Sequence, residues 1–364
     1  MQAHIKHIIV TLGFAVTILL GMVTHLGTAD EDFSDAERRN LKQFPVPTWQ
    51  TITDHGYSDT LETYLLDQFF LREGFRGLNA ISRLYVFNQH DVNHLLVHNG
   101  HVHELMHPLD EASLENALSL MGSIKREHYG SIDTYHAYIP DKNRYLDKGG
   151  VPVMDYGAIA DAFDEPGFDS KPIDLSALLT IDHYYRTDHH WDQKTLPPIA
   201  AHILNVMKDG NVPNANYDTE TYKPFRGVYQ GQLGLPLENE TLGWLVNDTI
   251  RNAERVNPIT GESETVYDTE KLHDVDPYHL FLGGYRPITE LQTDNHSTDE
   301  HLVIFGDSFT NSLAPLLMEA YEKITFVDLR YISPNILDEY IEEEPDDVLF
   351  LYSTHILNDS WMLN

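Results

Sequence analysis

The stretch Leu302-Val303-Ile304-Phe305-Gly306-Asp307-Ser308-Phe309 decides the fold. Four consecutive apolar side chains read as a buried strand, and Gly306-Asp307-Ser308 follows where a strand-to-helix turn exposes a reactive side chain. Downstream, Ser312 to Tyr321 reads as a helix, Ile324 to Leu329 as a strand, Ile336 to Ile341 as a short helix and Val348 to Tyr352 as a strand. Strands alternating with helices predict an α/β layered domain.

Upstream the same alternation continues. Leu114, Leu118, Met121 and Ile124 have helical spacing, Thr134 to Pro140 reads as a strand, and Ile173 to Leu179 carries a short helical signal. Pro197-Pro198 starts a helix through Met207. From about Asp209 to His301 the chain turns polar and glycine-containing, which reads as an insertion with short strands, among them Val228 to Gly231 and Thr265 to Tyr267. Tyr278 to Gly284 ends in glycines that permit close backbone approach to a ligand.

The N-terminal third is different in kind. Ile8 to Val23 is an apolar run without charge, preceded by Lys6 and followed by Asp30-Glu31-Asp32, which predicts a membrane anchor with everything after it outside the cytoplasm. Gly27-Thr28-Ala29 alternatively suits signal cleavage after Ala29, giving a secreted product. Residues 30–59 read as a tether, with Pro45 and Pro47 favouring extended chain. Between Thr60 and Tyr85, Leu61, Leu65, Phe69, Phe70, Phe75, Leu78, Ile81 and Leu84 recur at helical spacing, predicting amphipathic helices whose apolar face is core. Asn99-Gly100 then predicts a hairpin. Its histidines read as solvated rather than as a metal site, because residues alternating along a strand point to opposite faces.

Composition narrows the chemistry. A formal net charge of −33 disfavours nucleic acid as a partner, and the absence of cysteine removes disulfides, thiolate metal sites and thiol nucleophiles. Any covalent catalyst must therefore be an oxygen or nitrogen nucleophile. Ser308 needs a base, and the base needs an acceptor on its other nitrogen. Thr187-Asp188-His189-His190-Trp191-Asp192 supplies both types. Asp188 and His190, two apart on extended chain, point the same way, so Asp188 can orient His190 while His190 faces Ser308; His189 points elsewhere. Trp191 is either a pocket wall for stacking a sugar ring or a buried core residue.

The chain resembles the DHHW-motif proteins, relatives of the AlgX/AlgJ-type polysaccharide O-acetyltransferases in the SGNH hydrolase superfamily. The resemblance is carried by Asp188-His189-His190-Trp191 and Gly306-Asp307-Ser308-Phe309. Leu66 to Arg72, Ile139-Pro140-Asp141-Lys142, Phe281 to Gly284 and Asp328 to Tyr331 fit it in order. It implies a three-layer, flavodoxin-like, SGNH-hydrolase-like α/β fold over residues 60–364, with the insertion at about 209–300 and the acid and base preceding the nucleophile, a circularly permuted motif order. Residues 1–29 are the signal anchor or signal peptide. By resemblance, Ser308 is acylated, His190 is the base, Asp188 orients it, and Arg330 and Gly284 assist at the oxyanion or substrate, with no metal and no cofactor. The implied activity is O-acetylation of an exopolysaccharide or cell-wall glycan outside the cytoplasm, with a membrane-bound acyltransferase of the MBOAT kind as partner. A carbohydrate acetylesterase and a non-catalytic glycan-binding scaffold are the alternatives.

Overall fold

A computed structural model describes residues 2–53, 56–147, 149–163, 168–212, 215–293, 298–341 and 343–364. Residues 54 and 55 of the expected tether, and 213, 214 and 294–297 of the expected insertion, lie outside the described residues. The chain forms two compact units: residues 1–93 with 230–237, and residues 94–229 with 238–364.

The first unit begins with helix α1 (Gln2–Gly27), within which Ile5–His25 is 21 residues long and apolar enough to cross a membrane. At about 1.5 Å per residue that length matches a hydrocarbon core of about 30 Å. Beyond it the expected tether is tied down. Phe33–Ser34 pairs with Arg39–Asn40, and the Arg39 guanidinium donates two hydrogen bonds to Asp67 (2.9 and 2.6 Å). Asp67, buried, also accepts the Lys42 amide (2.9 Å), and the charge of Arg39 together with that amide holds its carboxyl below the usual range. Asp67 thus holds the chain at Arg39 and Lys42, while the stretch with Pro45 and Pro47 forms neither helix nor strand.

Helices α2 (Gly56–Asp67) and α3 (Arg72–Ile81) appear where periodicity placed them, but their apolar face is not core. In α3 the buried residues are Gly77 and Ala80, whereas Phe75, Leu78 and Ile81 are exposed. Gly77 lies so near the Gly234 backbone that a Cβ would sit 2.8 Å from the Gly234 carbonyl oxygen, and Arg76 caps the Gly231 carbonyl (3.0 Å). Close backbone packing selected the small face inward and left the large side chains out.

The second unit is the α/β domain. Its strands are β1 (Asp133–Ile139), β2 (Lys171–Pro172), β3 (Glu254–Val256), β4 (Ser263–Thr265), β5 (Ile288–Gln292), β6 (His301–Gly306), β7 (Lys323–Val327) and β8 (Asp347–Ser353). They form one sheet in the order β4-β3-β5-β7-β6-β8-β1-β2. The run from β7 to β2 is parallel; β5, β3 and β4 continue it antiparallel. Both faces are covered. Leu302 and Ile304 join the cluster containing helices α6 (Pro197–Met207) and α7 (Ser308–Leu317), while Val303 and Phe305 join that of α4 (Glu111–His128) and α5 (Tyr156–Phe163). This is the three-layer arrangement that continuous apolar strands require.

The polar stretch after Asp209 supplies β3, β4 and β5 of this sheet. Four expectations change. Val228–Leu233 is a short helix rather than a strand, and Ile173 to Leu179 forms turns rather than a helix. The helix expected from Ser312 starts at Ser308, because the Asp307 carboxylate caps it by accepting the Phe309 amide (3.0 Å). In the hairpin of Leu95–His98 with His101–Glu104, His98 stands opposite His101, so His98, His101 and His103 share one face. His103 is 2% exposed and buried rather than solvated.

Candidate active site

Ser308 stands at the C-terminal end of β6, the edge of a parallel sheet where ligands bind in open α/β folds. The turn is crowded. A side chain at Gly306 would collide with Thr310 and come within 2.7 Å of the Leu351 carbonyl, so glycine is required. Asp307, buried, caps α7 with one oxygen and accepts the Ser353 amide at the end of β8 with the other (2.7 Å). Both carboxylate oxygens thus fix the turn, and Ser308 occupies the first helical turn, where backbone amides lack intrahelical acceptors.

Asp188 and His190 arrive on a tight loop closed by the bridge between Tyr184 and Trp191. The Asp188 carboxylate is fully buried; its Oδ1 accepts from His190 Nδ1 (2.7 Å) and from the His190 amide (3.1 Å), and its Oδ2 accepts the Val228 amide (2.8 Å). His190 Nε2 then lies 2.8 Å from Ser308 Oγ. That distance is within the reach of about 2.6 to 3.2 Å needed for general-base transfer. With Nδ1 protonated toward Asp188, Nε2 presents a lone pair and the Ser308 hydroxyl donates to it. The ring of Tyr278 stacks on His190 at 3.8 Å and 9°, which fixes the imidazole plane. His189 makes no bond to Ser308; its half-exposed ring lies 5.5 Å from that of His355.

The loop itself is held from three sides. Glu240 accepts the amides of Arg186 and Thr187 (both 2.7 Å) and the Thr187 hydroxyl (2.6 Å). Lys142, buried at the end of β1, donates to the carbonyls of Tyr185 and Arg186 (3.1 and 3.2 Å). Burial pushes its ammonium down to about 7, against the pull of Asp188, Glu240, Asp141 and Glu104. Gly227 passes so close to the Thr187 carbonyl that any Cβ would collide with it. Sequence reading missed Glu240 and Gly227 as parts of the site, and Lys142 stood out only as part of a matching motif.

Trp191 is fully buried, donating to the Phe309 carbonyl (3.1 Å) and Ser312 Oγ (2.8 Å). It therefore offers no face to a sugar; it ties the loop to α7. Gln193 does the same, donating to the Ser312 carbonyl (2.6 Å) and Tyr267 Oη (2.9 Å) and accepting the Leu245 amide (2.7 Å). Arg330 forks onto Asp328 (2.9 and 2.6 Å). Burial opposes its charge, but Asp328, with Asp307 beyond it, keeps the guanidinium ionised. Gly284, at φ 86, packs against the His279 ring, and its carbonyl accepts from Asn311 on α7 (3.4 Å). The neighbouring Tyr285 and Tyr331 are exposed, their rings 6.1 Å apart.

Asp188, His189 and His190 are also the group found, among the described residues, with ligand-type atoms within 4.8 Å of one another. A metal ion there would compete with the bonds that His190 already makes through both nitrogens.

No family model matches the sequence. Among solved structures, a DHHW family protein from Eubacterium siraeum superposes with a TM-score of 0.56 at 21% identity, over 73% of this chain and 93% of that one. Bacillus cereus PatB1, in a structure carrying a sulfonyl adduct, gives 0.57 at 18% identity, over 72% of this chain and 97% of that one. The chain shares the fold of these proteins. A curated relative, Protein Ycf2 of Cuscuta exaltata, is 30% identical over 95 residues, 26% of this chain; the chain spans 4% of that protein's length.

Proposed function

We propose that the chain is a serine-dependent O-acetyltransferase of an exopolysaccharide or cell-wall glycan, held at the membrane by α1 with its second unit outside the cytoplasm. The observation that carries this reading is the hydrogen-bonded series Asp188, His190, Ser308 at the C-terminal end of β6. Ser308 Oγ attacks the donor acyl carbonyl as its proton passes to His190 Nε2, while Asp188 stabilises the imidazolium. The Ser308 amide, in the first turn of α7 where amides lack intrahelical acceptors, serves as a donor to the developing oxyanion, with Gly284 and Arg330 as candidates for a supporting role. Collapse of the intermediate breaks the donor ester bond, and His190 returns the proton to the leaving oxygen. A sugar hydroxyl next gives its proton to His190 and attacks the acyl-serine, and Ser308 regains the proton on release.

Two further observations support the reading. PatB1, which shares the fold, is described with a sulfonyl adduct, and such adducts form on activated nucleophiles. The exposed pair Tyr285 and Tyr331, beside Gly284 and Arg330, offers aromatic faces of the kind that stack on sugar rings. A membrane-bound acyltransferase would supply the acyl group from the other side of the bilayer.

The test is incubation with an acetyl ester donor, with and without oligosaccharide acceptors. Acetylated oligosaccharide is expected. Release of free acetate alone would make the protein an esterase, and glycan acetylation in cells unchanged by Ser308→Ala would leave a glycan-binding scaffold.

A further inference from the structure

Unit 1 carries an apolar surface that its own packing does not use. On α3, Phe75 and Leu78 share a face and are exposed, and so are Leu71 just before the helix and Tyr85 in the turn that continues it. Leu65, Leu66, Phe69 and Phe70, at the end of α2 and in the turn after it, are exposed as well, Leu66 at 64%. Soluble surfaces rarely leave so many large apolar side chains together.

The last turn of α1 tells where this surface sits. His25 Nδ1 donates to the Gln68 carbonyl (3.1 Å), between Leu66 and Phe69 in sequence. Gln68 is then locked to the chain leaving α1: its Oε1 accepts the Glu31 amide (2.9 Å), and its Nε2 donates to the carbonyls of Glu31 (2.8 Å) and Lys42 (3.0 Å). One turn earlier, Tyr64 Oη donates to Asp30 (3.1 Å). The end of α2, with Leu65, Leu66, Phe69 and Phe70 around it, is thereby fixed at the level where α1 ends, and α3 follows directly from it.

We propose that this face lies in the interfacial layer of the bilayer that α1 crosses, so that unit 1 holds the membrane by a span and by a helix lying on its surface. The proposal rests on the reading of α1 as a membrane span. Phenylalanine, tyrosine and leucine are the side chains that amphipathic interfacial helices bury. The basic residues of α3 do not serve lipid headgroups: Arg72 pairs with Glu37 and Glu73, and Arg76 with Glu37 and Glu73. With a net charge of −33, the contact is therefore apolar and suited to a zwitterionic leaflet.

The absence of cysteine makes a direct test possible, because a single introduced cysteine takes a nitroxide label specifically. The full chain would be labelled at Leu66→Cys, Phe70→Cys or Leu78→Cys and reconstituted in phosphatidylcholine vesicles. Val16→Cys in α1 and Ile259→Cys on unit 2, both exposed, serve as references. Collision with oxygen, concentrated in lipid, and with a water-soluble nickel complex is then measured. Expected at all three positions is an oxygen-to-nickel ratio well above that at Ile259→Cys and below that at Val16→Cys. A ratio equal to that at Ile259→Cys, with Val16→Cys still in lipid, overturns the proposal and leaves the span intact. Water access at Val16→Cys as well overturns the span and the proposal together. Shielding from both reagents means that another protein or a second copy covers the face, which also overturns it. Retained sulfonyl labelling of Ser308 identifies each labelled variant as folded in unit 2, and agreement among three positions guards against a local disturbance in unit 1.

Discussion

His190 holds one proton on Nδ1 for Asp188 and offers the other nitrogen to Ser308, so each partner has a separable effect. Ser308→Ala is expected to abolish acyl turnover and sulfonyl labelling while leaving the thermal midpoint nearly unchanged. Asp188→Asn removes the charge that stabilises the imidazolium and turns one acceptor oxygen into an NH2 facing N–H donors, and is expected to slow turnover by about 10⁴-fold. Lys142 acts behind them. Its ammonium, about 7 when folded, lies below the ordinary lysine value of 10.5, so between those values the unfolded chain binds the extra proton and stability rises with pH. Comparing urea unfolding of the native chain and Lys142→Met is expected to show a stability difference that grows in favour of the native chain as pH rises from 7, by at most about 1.4 kcal/mol per pH unit. His101 and His103 have the same sign in another window. Burial first, and the charge of Lys142 second, lower them to about 4 and about 3. Below the ordinary histidine value of 6.5 the unfolded chain takes up protons that the folded chain refuses, so stability falls as pH drops toward those values. His103→Gln is expected to flatten that fall in acid unfolding curves.

At the scale of elements, the site is a loop pinned against the end of a strand, and the pins differ in kind. Glu240 grips three donors of the loop, so Glu240→Ala is expected to misplace His190 and cost about 100-fold in turnover, with a smaller change in KM. Trp191→Phe removes one donor from Ser312 Oγ and from the Phe309 carbonyl, which keep Tyr278 Oη and Ser312 Oγ as donors, and is expected to destabilise the fold by about 0.5 to 1.5 kcal/mol in denaturant titration. The elements of the α/β unit were legible because strands buried on both faces, such as β6, leave a continuous apolar run that nothing else explains. The pairing of Asp188 with His190 was legible because both lie within three residues. Glu240 was not, since its partners lie more than 50 positions away and a lone acid in a polar stretch carries no period. The outward face of α3 was misread for a related reason. Helical spacing says which residues share a side, and only the close approach of Gly77 to the Gly234 backbone, with Ala80 buried as well, says which side turns inward.

The whole molecule is strongly anionic, and its acidic groups repel one another in dilute buffer. Raising sodium chloride toward about 1 M, where the screening length falls to about 3 Å, is expected to raise the thermal midpoint. Such a trend would come from the overall excess of acids rather than from the local pairs of the site. The length of chain between the reacting groups has a different consequence. His190 and Ser308 are 118 residues apart, and β8 pairs with β1 across more than 200. Contacts closed over such spans form late and slowly, after local helices and hairpins. Reactivity of Ser308 toward a fluorescent sulfonyl reagent therefore works as a clock and a head count during refolding: the dye attaches to molecules that have finished their slowest assembly, and its uptake should lag behind the recovery of helical circular dichroism.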